Sequence, residues 1–270
     1  MEEKQKLDVS VILPIESSKH RSFEELLERA VKSLQNQNVE INELNIVHTQ
    51  EESLVNILKN YDFGELKVNL IENSGSKDFA TQVNLGVKNS NSSWISILEF
   101  DDEYSSIWFK NVLKYSEVYP DVSIFLPIVV DVDQDTKFAG FTNEATFAAN
   151  FTPEMGILTN ETLMEYQNFQ SSGMVVKKDT FIDFGLLKPS FKLTFGYEFF
   201  LRMTYNSIQI MSIPRIGYKH MNLREGSIFW NYKNGDNSMT SDEVKFWVES
   251  AKKEYFFIND RTIKYELKEV

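Results

Sequence analysis

Two rhythms of apolar and polar positions alternate along the first half of the chain. Leu7-Asp8-Val9-Ser10-Val11-Ile12-Leu13-Pro14-Ile15 is a nearly continuous, β-branched apolar run closed by proline, the pattern of a strand buried on both faces. Phe23, Leu26, Leu27, Ala30, Val31 and Leu34 then recur at helical spacing and predict a helix over residues 22–37. Ser22 with Glu25 three residues on fits a capping box at its start. The alternation continues with strands over 43–47, 66–71, 94–100 and 122–130, and helices over 53–61, 78–89 and 105–118. Strands separated by helices imply parallel pairing through right-handed crossovers. Ligands of such sheets sit outside the carboxyl ends of the strands, which singles out residues 14–18, 48–50 and 100–104.

From 131 to 170 the pattern weakens, and long loops with short elements are expected. Beyond it, a short strand at 173–176, a helix at 195–206, a strand at 208–213 and a last helix at 241–257, N-capped by Ser241, are predicted. Val244, Trp247, Val248, Ala251 and Tyr255 share one face of that last helix, which suits core packing or a subunit contact. The expected organisation is one α/β domain over residues 1–235, with a small helical extension, 236–270, packed on it.

Composition narrows the function. A formal net charge of −12 argues against a surface that grips nucleic acid broadly, because phosphate neutralisation needs clustered Lys and Arg. The absence of cysteine excludes disulfides, thiolate nucleophiles and Cys-based zinc sites. No run approaches 18 apolar residues, and residues 1–6 are charged with no apolar signal core, so a cytoplasmic protein is expected. The oligomeric state stays open.

The densest chemistry is Leu98-Glu99-Phe100-Asp101-Asp102-Glu103 at a strand end. Clustered carboxylates repel one another unless solvated or neutralised by a cation, and hard oxygen ligands suit Mg²⁺ or Mn²⁺ shared with substrate phosphates. The alternative is an acidic turn in water.

In order and spacing, several stretches resemble the GT-A glycosyltransferases of the family-2 type. Residues 8–14 look like that family's opening strand, and Ser33-Leu34 with Gln37 like its first helix. Asn73-Ser74-Gly75 with Asn84-Leu85-Gly86, and Trp94 through Asp102, are similar to its later motifs. The likeness covers residues 7–130 well and 171–228 more loosely. It implies a GT-A (Rossmann-like), mostly parallel sheet flanked by helices, and a metal-dependent, inverting transfer of a sugar from a nucleotide-diphosphate sugar, UDP-linked by expectation, to an acceptor hydroxyl. The acceptor could be a glycan, a lipid-linked sugar, a protein or a modified nucleobase.

By that resemblance Asp101, Asp102 and His220 are the metal candidates for Mn²⁺ or Mg²⁺, with Glu99 standing where the family usually has Asp. Pro14, Ile15, Glu16, His48, Lys77, Asp101 and Arg224 are the donor-binding candidates. His48-Thr49 replaces the family's usual acidic pair, so the imidazole would have to contact the base by stacking or hydrogen bonding. Glu198, four residues before Arg202, is the candidate general base, and Asp183 the second choice. Lys219 is a further diphosphate contact, and Trp230 and Tyr232 a stacking wall for a sugar. Two rival readings stand beside this one. A nucleotidyltransferase would want a glycine-rich loop after the first strand, and residues 14–19 contain no glycine. A catalytically inactive transferase fold serving as a binding or scaffold protein is the other.

Overall fold

The computed structural model describes residues 5–144, 156–222, 224–235 and 238–266. The expected alternation opens the fold: β1 (Val9–Ile15), α1 (Phe23–Gln35), β2 (Glu43–His48), α2 (Glu52–Asn60), β3 (Val68–Glu72), α3 (Phe79–Asn89) and β4 (Trp94–Ile97). There follow β5 (Glu103–Tyr104), α4 (Trp108–Val118), β6 (Val122–Val132), β7 (Phe138–Thr142), β8 (Ile157–Leu158) and α5 (Asn160–Glu165). The chain continues through β9 (Val175–Lys177), α6 (Lys178–Asp183), α7 (Phe195–Tyr205), β10 (Gln209–Met221), α8 (Ile228–Asn234) and α9 (Ser241–Glu254).

One sheet runs in the order β3-β2-β1-β4-β9-β6-β10-β5, with β7 and β8 attached at its side. Its long ladders, β3-β2-β1-β4 and β6-β10, are parallel. The short β9 lies antiparallel between β4 and β6. Every residue of β1 and β2 is buried; β1 accordingly reads as a nearly continuous apolar run, while β2 also buries the polar Glu43, Asn45 and His48. Successive side chains of β1 enter opposite layers: Val11 and Leu13 join one apolar cluster, and Ile12 the other. Helix α3 presses on this strand so closely that a Cβ at Gly86 would stand 2.4 Å from Cγ2 of Ile12. Helix α9 closes the second cluster through Trp247 and Tyr255, with Trp247 edge-on to Phe191 at 6.5 Å.

Several boundaries differ from the periodicity. Ser22 makes no side-chain cap, and its backbone (φ −107°, ψ 25°) lacks the extended shape that aims a capping hydroxyl at the next turn. At the last helix the cap is Thr240, one residue earlier than expected, in a reciprocal capping box with Glu243. Strand β4 stops at Ile97 because Tyr218 Oη, and not a neighbouring strand, takes the backbone N–H of Glu99. Strand β10 runs through Pro214 to Met221, far past residue 213, accommodating irregular pairing with β6 on the way. The stretch expected as loops holds the end of β6, then β7, β8 and α5; residues 145–155 lie outside the described ones. Among the described residues no helix is long and apolar enough to cross a membrane.

Candidate active site

Beyond the carboxyl ends of β1, β4 and β6 lies a cleft of about 1180 Å³. The turn after β4 forms its floor. Leu98 still bonds the Ile12 carbonyl (2.9 Å), Tyr218 Oη holds the Glu99 amide (3.0 Å), and Asp102 closes the turn on the Glu99 carbonyl (3.1 Å). The three acids therefore point in fixed directions. Asp102, fully buried, accepts from His220 Nδ1 (2.9 Å) and the Met221 amide (2.8 Å). Asp101 accepts from Arg224 Nε at 2.5 Å. Glu99 accepts from Ser172 Oγ at 2.8 Å.

Strand β10 supplies His220, and the segment after it Arg224, because β5 docks antiparallel on the strand, pairing Tyr218 with Tyr104 and Lys219 with Glu103. Gly173, at φ +70°, brings Ser172 to the floor; a Cβ there would stand 2.5 Å from the Tyr218 ring. Crowded negative charge sets the protonation pattern. Burial, reinforced by Asp102 and Asp101, raises Glu99 to about 7. Burial acts to lower His220, but the Asp102 carboxylate outweighs it and lifts the imidazole to about 10. Burial and Asp102 also raise Asp101, against the pull of Arg224.

Glu99, Asp102 and His220 each offer a ligand atom within 4.8 Å of the others. Two carboxylates and one imidazole, once the imidazole gives up its proton to the entering charge, fit a divalent ion such as Mg²⁺ or Mn²⁺. The expected trio is thus partly regrouped: Asp102 and His220 come together with Glu99, while Asp101 is engaged by Arg224.

The other expected residues divide clearly. Pro14, Glu16, Lys77, Asp101, His220 and Arg224 line the cleft. Ile15 and His48 do not: both are buried, and His48 Nδ1 contacts its own neighbour's carbonyl, Thr49 O, at 2.9 Å. A base contact by His48 is therefore not available in this arrangement. Thr49 Oγ1 bonds the Glu16 carbonyl (2.7 Å), and Glu51 accepts from Ser17 Oγ (2.6 Å) and from the Ser18 amide and hydroxyl. The end of β2 thus shapes the loop after β1 from behind. Lys219 pairs with Glu103 at 2.6 Å, and neither Trp230 nor Tyr232 lines the cleft, although Phe229 does.

Glu198 lies in α7 with no exposed surface, held by Arg202 Nε (3.0 Å), Arg202 Nη2 (3.0 Å) and Lys188 Nζ (2.7 Å). Arg202 also donates to the Phe184, Gly185 and Leu186 carbonyls, and Lys188 to Phe257 O. The carboxylate is a buried counter-ion facing away from the cleft, and the first turn of α7 presents Gly196 there instead. Asp183 is exposed at the end of α6 and lies outside the cleft.

The periodicity did not point to Ser172, Gln170 or Asp131. Asp131, near the end of β6, lines the cleft almost fully buried and accepts a long bond from Gln170 Nε2 (3.4 Å). Burial raises its carboxyl, opposed by His220 and Gln170. The rule that sites lie at strand carboxyl ends would have found it, had the strand been extended two residues.

The family model for glycosyl transferase family 2 matches residues 10–175. The chain belongs to glycosyl transferase family 2. Its fold is similar to that of S. aureus TarS. Residues 1–349 of TarS in complex with UDP align with TM-score 0.63 and 12% identity, over 91% of this chain and 71% of that one. The UDP-GlcNAc complex aligns with TM-score 0.62 and 15% identity, over 90% and 64%. Against the longer TarS structure the chain aligns over 97% of its length but spans 46% of TarS, with TM-score 0.58 and 15% identity. At these identities the likeness is one of fold. No curated protein sequence matches.

Proposed function

We propose that this glycosyltransferase carries out an inverting transfer from a UDP-sugar to an acceptor hydroxyl, assisted by a divalent ion. The observation that carries this reading is the acidic turn Glu99–Asp102, set against His220 and Arg224 on the floor of a cleft large enough for a nucleotide-sugar. Glu99, Asp102 and His220 are the residues to hold Mn²⁺ or Mg²⁺. Such an ion supplies Lewis-acid stabilisation to the departing diphosphate. Arg224 and Lys77 add positive charge along the cleft wall for the same phosphates. Phe79, Phe195, Tyr197 and Phe229 give it apolar surface for a sugar ring. The base role passes from Glu198 to Asp131, a cleft carboxylate that forms no ion pair among the described residues. A raised carboxyl in that position suits removal of an acceptor proton. Because α9 shares the second apolar cluster with α7, residues 1–235 with 236–270 packed on them remain our proposed division.

The test is hydrolysis or transfer of UDP-sugars by the purified chain with and without Mn²⁺. Turnover that depends on Mn²⁺ and falls about 10²–10⁴-fold in Asp131→Asn, with UDP still bound, supports the reading. A transferase fold that binds without chemistry is the second reading. It is favoured by the glycine that α7 presents to the cleft at position 196. UDP binding with no turnover on any nucleotide-sugar would select it.

A further inference from the structure

The pair Arg224–Asp101 is unusual for a site that is to receive a divalent ion. Both side chains are almost fully buried, and Nε sits 2.5 Å from Oδ2. The guanidinium carbon lies 4.7 Å from the centroid of the Phe100 ring, and Nη1 donates to Glu225 O (3.1 Å). A cation thus already sits on the carboxylate beside the Glu99–Asp102–His220 group. The Met221 amide is tied to Asp102 Oδ1 (2.8 Å) and the Asn222 amide to Val132 O (2.8 Å). On the far side the Ser227 amide closes a turn on the Arg224 carbonyl (2.9 Å), and Gly226 within that turn has φ +81° and open space around it.

We propose that Arg224 is a resident counter-cation of Asp101, beside the Glu99–Asp102–His220 group, and turns to the donor diphosphate when ion and donor arrive together. The inference rests on the metal-assisted, UDP-sugar reading above. Its physics is charge balance. Three carboxylates, Glu99, Asp101 and Asp102, lie together, and the permanent charge of Arg224 already sits on one of them. An ion entering alone meets positive charge already installed. A diphosphate entering alone finds Arg224 spoken for by Asp101. Arrival of both lets the ion's charge replace that of Arg224 beside Asp101 while the freed guanidinium takes phosphate oxygens, a fork it matches well. The ion and the nucleotide therefore bind cooperatively, and the coupling must be reciprocal.

The test is calorimetric titration of the full chain with Mn²⁺ alone, UDP alone, and each in the presence of the other, for the native protein and Arg224→Met. In the native protein each ligand should tighten the other about tenfold, within the range usual for coupled sites. Arg224→Met should bind Mn²⁺ alone about tenfold more tightly, and UDP with Mn²⁺ about tenfold more weakly, with the coupling largely gone. Arg224→Lys keeps the charge and loses the fork; it should fall between the two and serves if the methionine variant does not fold. Unchanged or weaker Mn²⁺ binding in both variants, with native coupling intact, overturns this inference and leaves the donor reading standing. A native chain that binds neither UDP nor Mn²⁺ sinks both.

Discussion

Glu198 shows how one carboxylate can serve the fold and not the chemistry. Arg202 and Lys188 are buried like their partner; Arg202 also holds carbonyls of the segment before α7, and Lys188 the Phe257 carbonyl after α9. Removing the acid leaves two uncompensated buried cations, so Glu198→Ala should cost about 3–5 kcal/mol in a urea unfolding series. The pH–rate profile of the folded fraction should keep its native shape, which a true base would not allow. Glu43 makes a matching case for pH. Burial works to raise its carboxyl, but the Asn91 amide and the side chains of Ser10, Asn91 and Asn45 bring it from 4.5 down to about 2. A folded value below the unfolded one means stability present above pH 4.5 and lost as the pH falls through about 2. Glu43→Gln should therefore be less stable than the native chain at pH 7. The gap should close progressively when unfolding is repeated at pH 4, 3 and 2. The spacing of Glu198 and Arg202 was visible in the sequence, but Lys188 and the carbonyls of 184–186 reach the site only through folding. That is why an ion pair and a base could not be told apart from residues 195–202 alone.

At the scale of elements, the opening alternation was legible because β1 and β2 are buried on both faces and α1 keeps one apolar stripe. Two things were not. The direction of β9 depends on which neighbours it finds, and three residues carry no such information. The length of β10 was hidden by Pro214, Arg215 and Gly217, which break the apolar run while the strand bends past β6. Since β10 delivers His220, and the segment after it Arg224, the missed half of that strand is the half that completes the site. Close packing of α3 on β1 gives a test at this scale. A Cβ at Gly86 would meet Cγ2 of Ile12 at 2.4 Å and Cγ2 of Val47 at 3.1 Å. Gly86→Ala should force helix from sheet and cost about 1–3 kcal/mol. Because Pro14 lies two residues beyond Ile12 and lines the cleft, UDP affinity should fall in the same variant.

For the whole molecule, the relevant quantity is how the charge of −12 is distributed. Most acids are dispersed and solvated, but Glu99, Asp101 and Asp102 are gathered under a cleft whose walls carry Lys19, Arg21, Lys77, Arg224 and Lys233. A nucleotide diphosphate on its own adds negative charge next to that acidic floor; a divalent ion on its own adds to the cations already paired there. Together they neutralise each other inside the site. Ligands that bind the folded chain raise its melting temperature by mass action, about 2.7 kcal/mol at a hundredfold excess over Kd. For a chain of this size, about 2–4 °C per kcal/mol makes a shift of about 5–10 °C for UDP with Mn²⁺. Under the same conditions UDP with EDTA should give a much smaller shift, and Asp102→Asn should show little difference between the Mn²⁺ and EDTA arms. Equal shifts with Mn²⁺ and with EDTA in the native chain would mean that the acidic floor orders the cleft through Arg224 and His220 and takes no part in holding an ion.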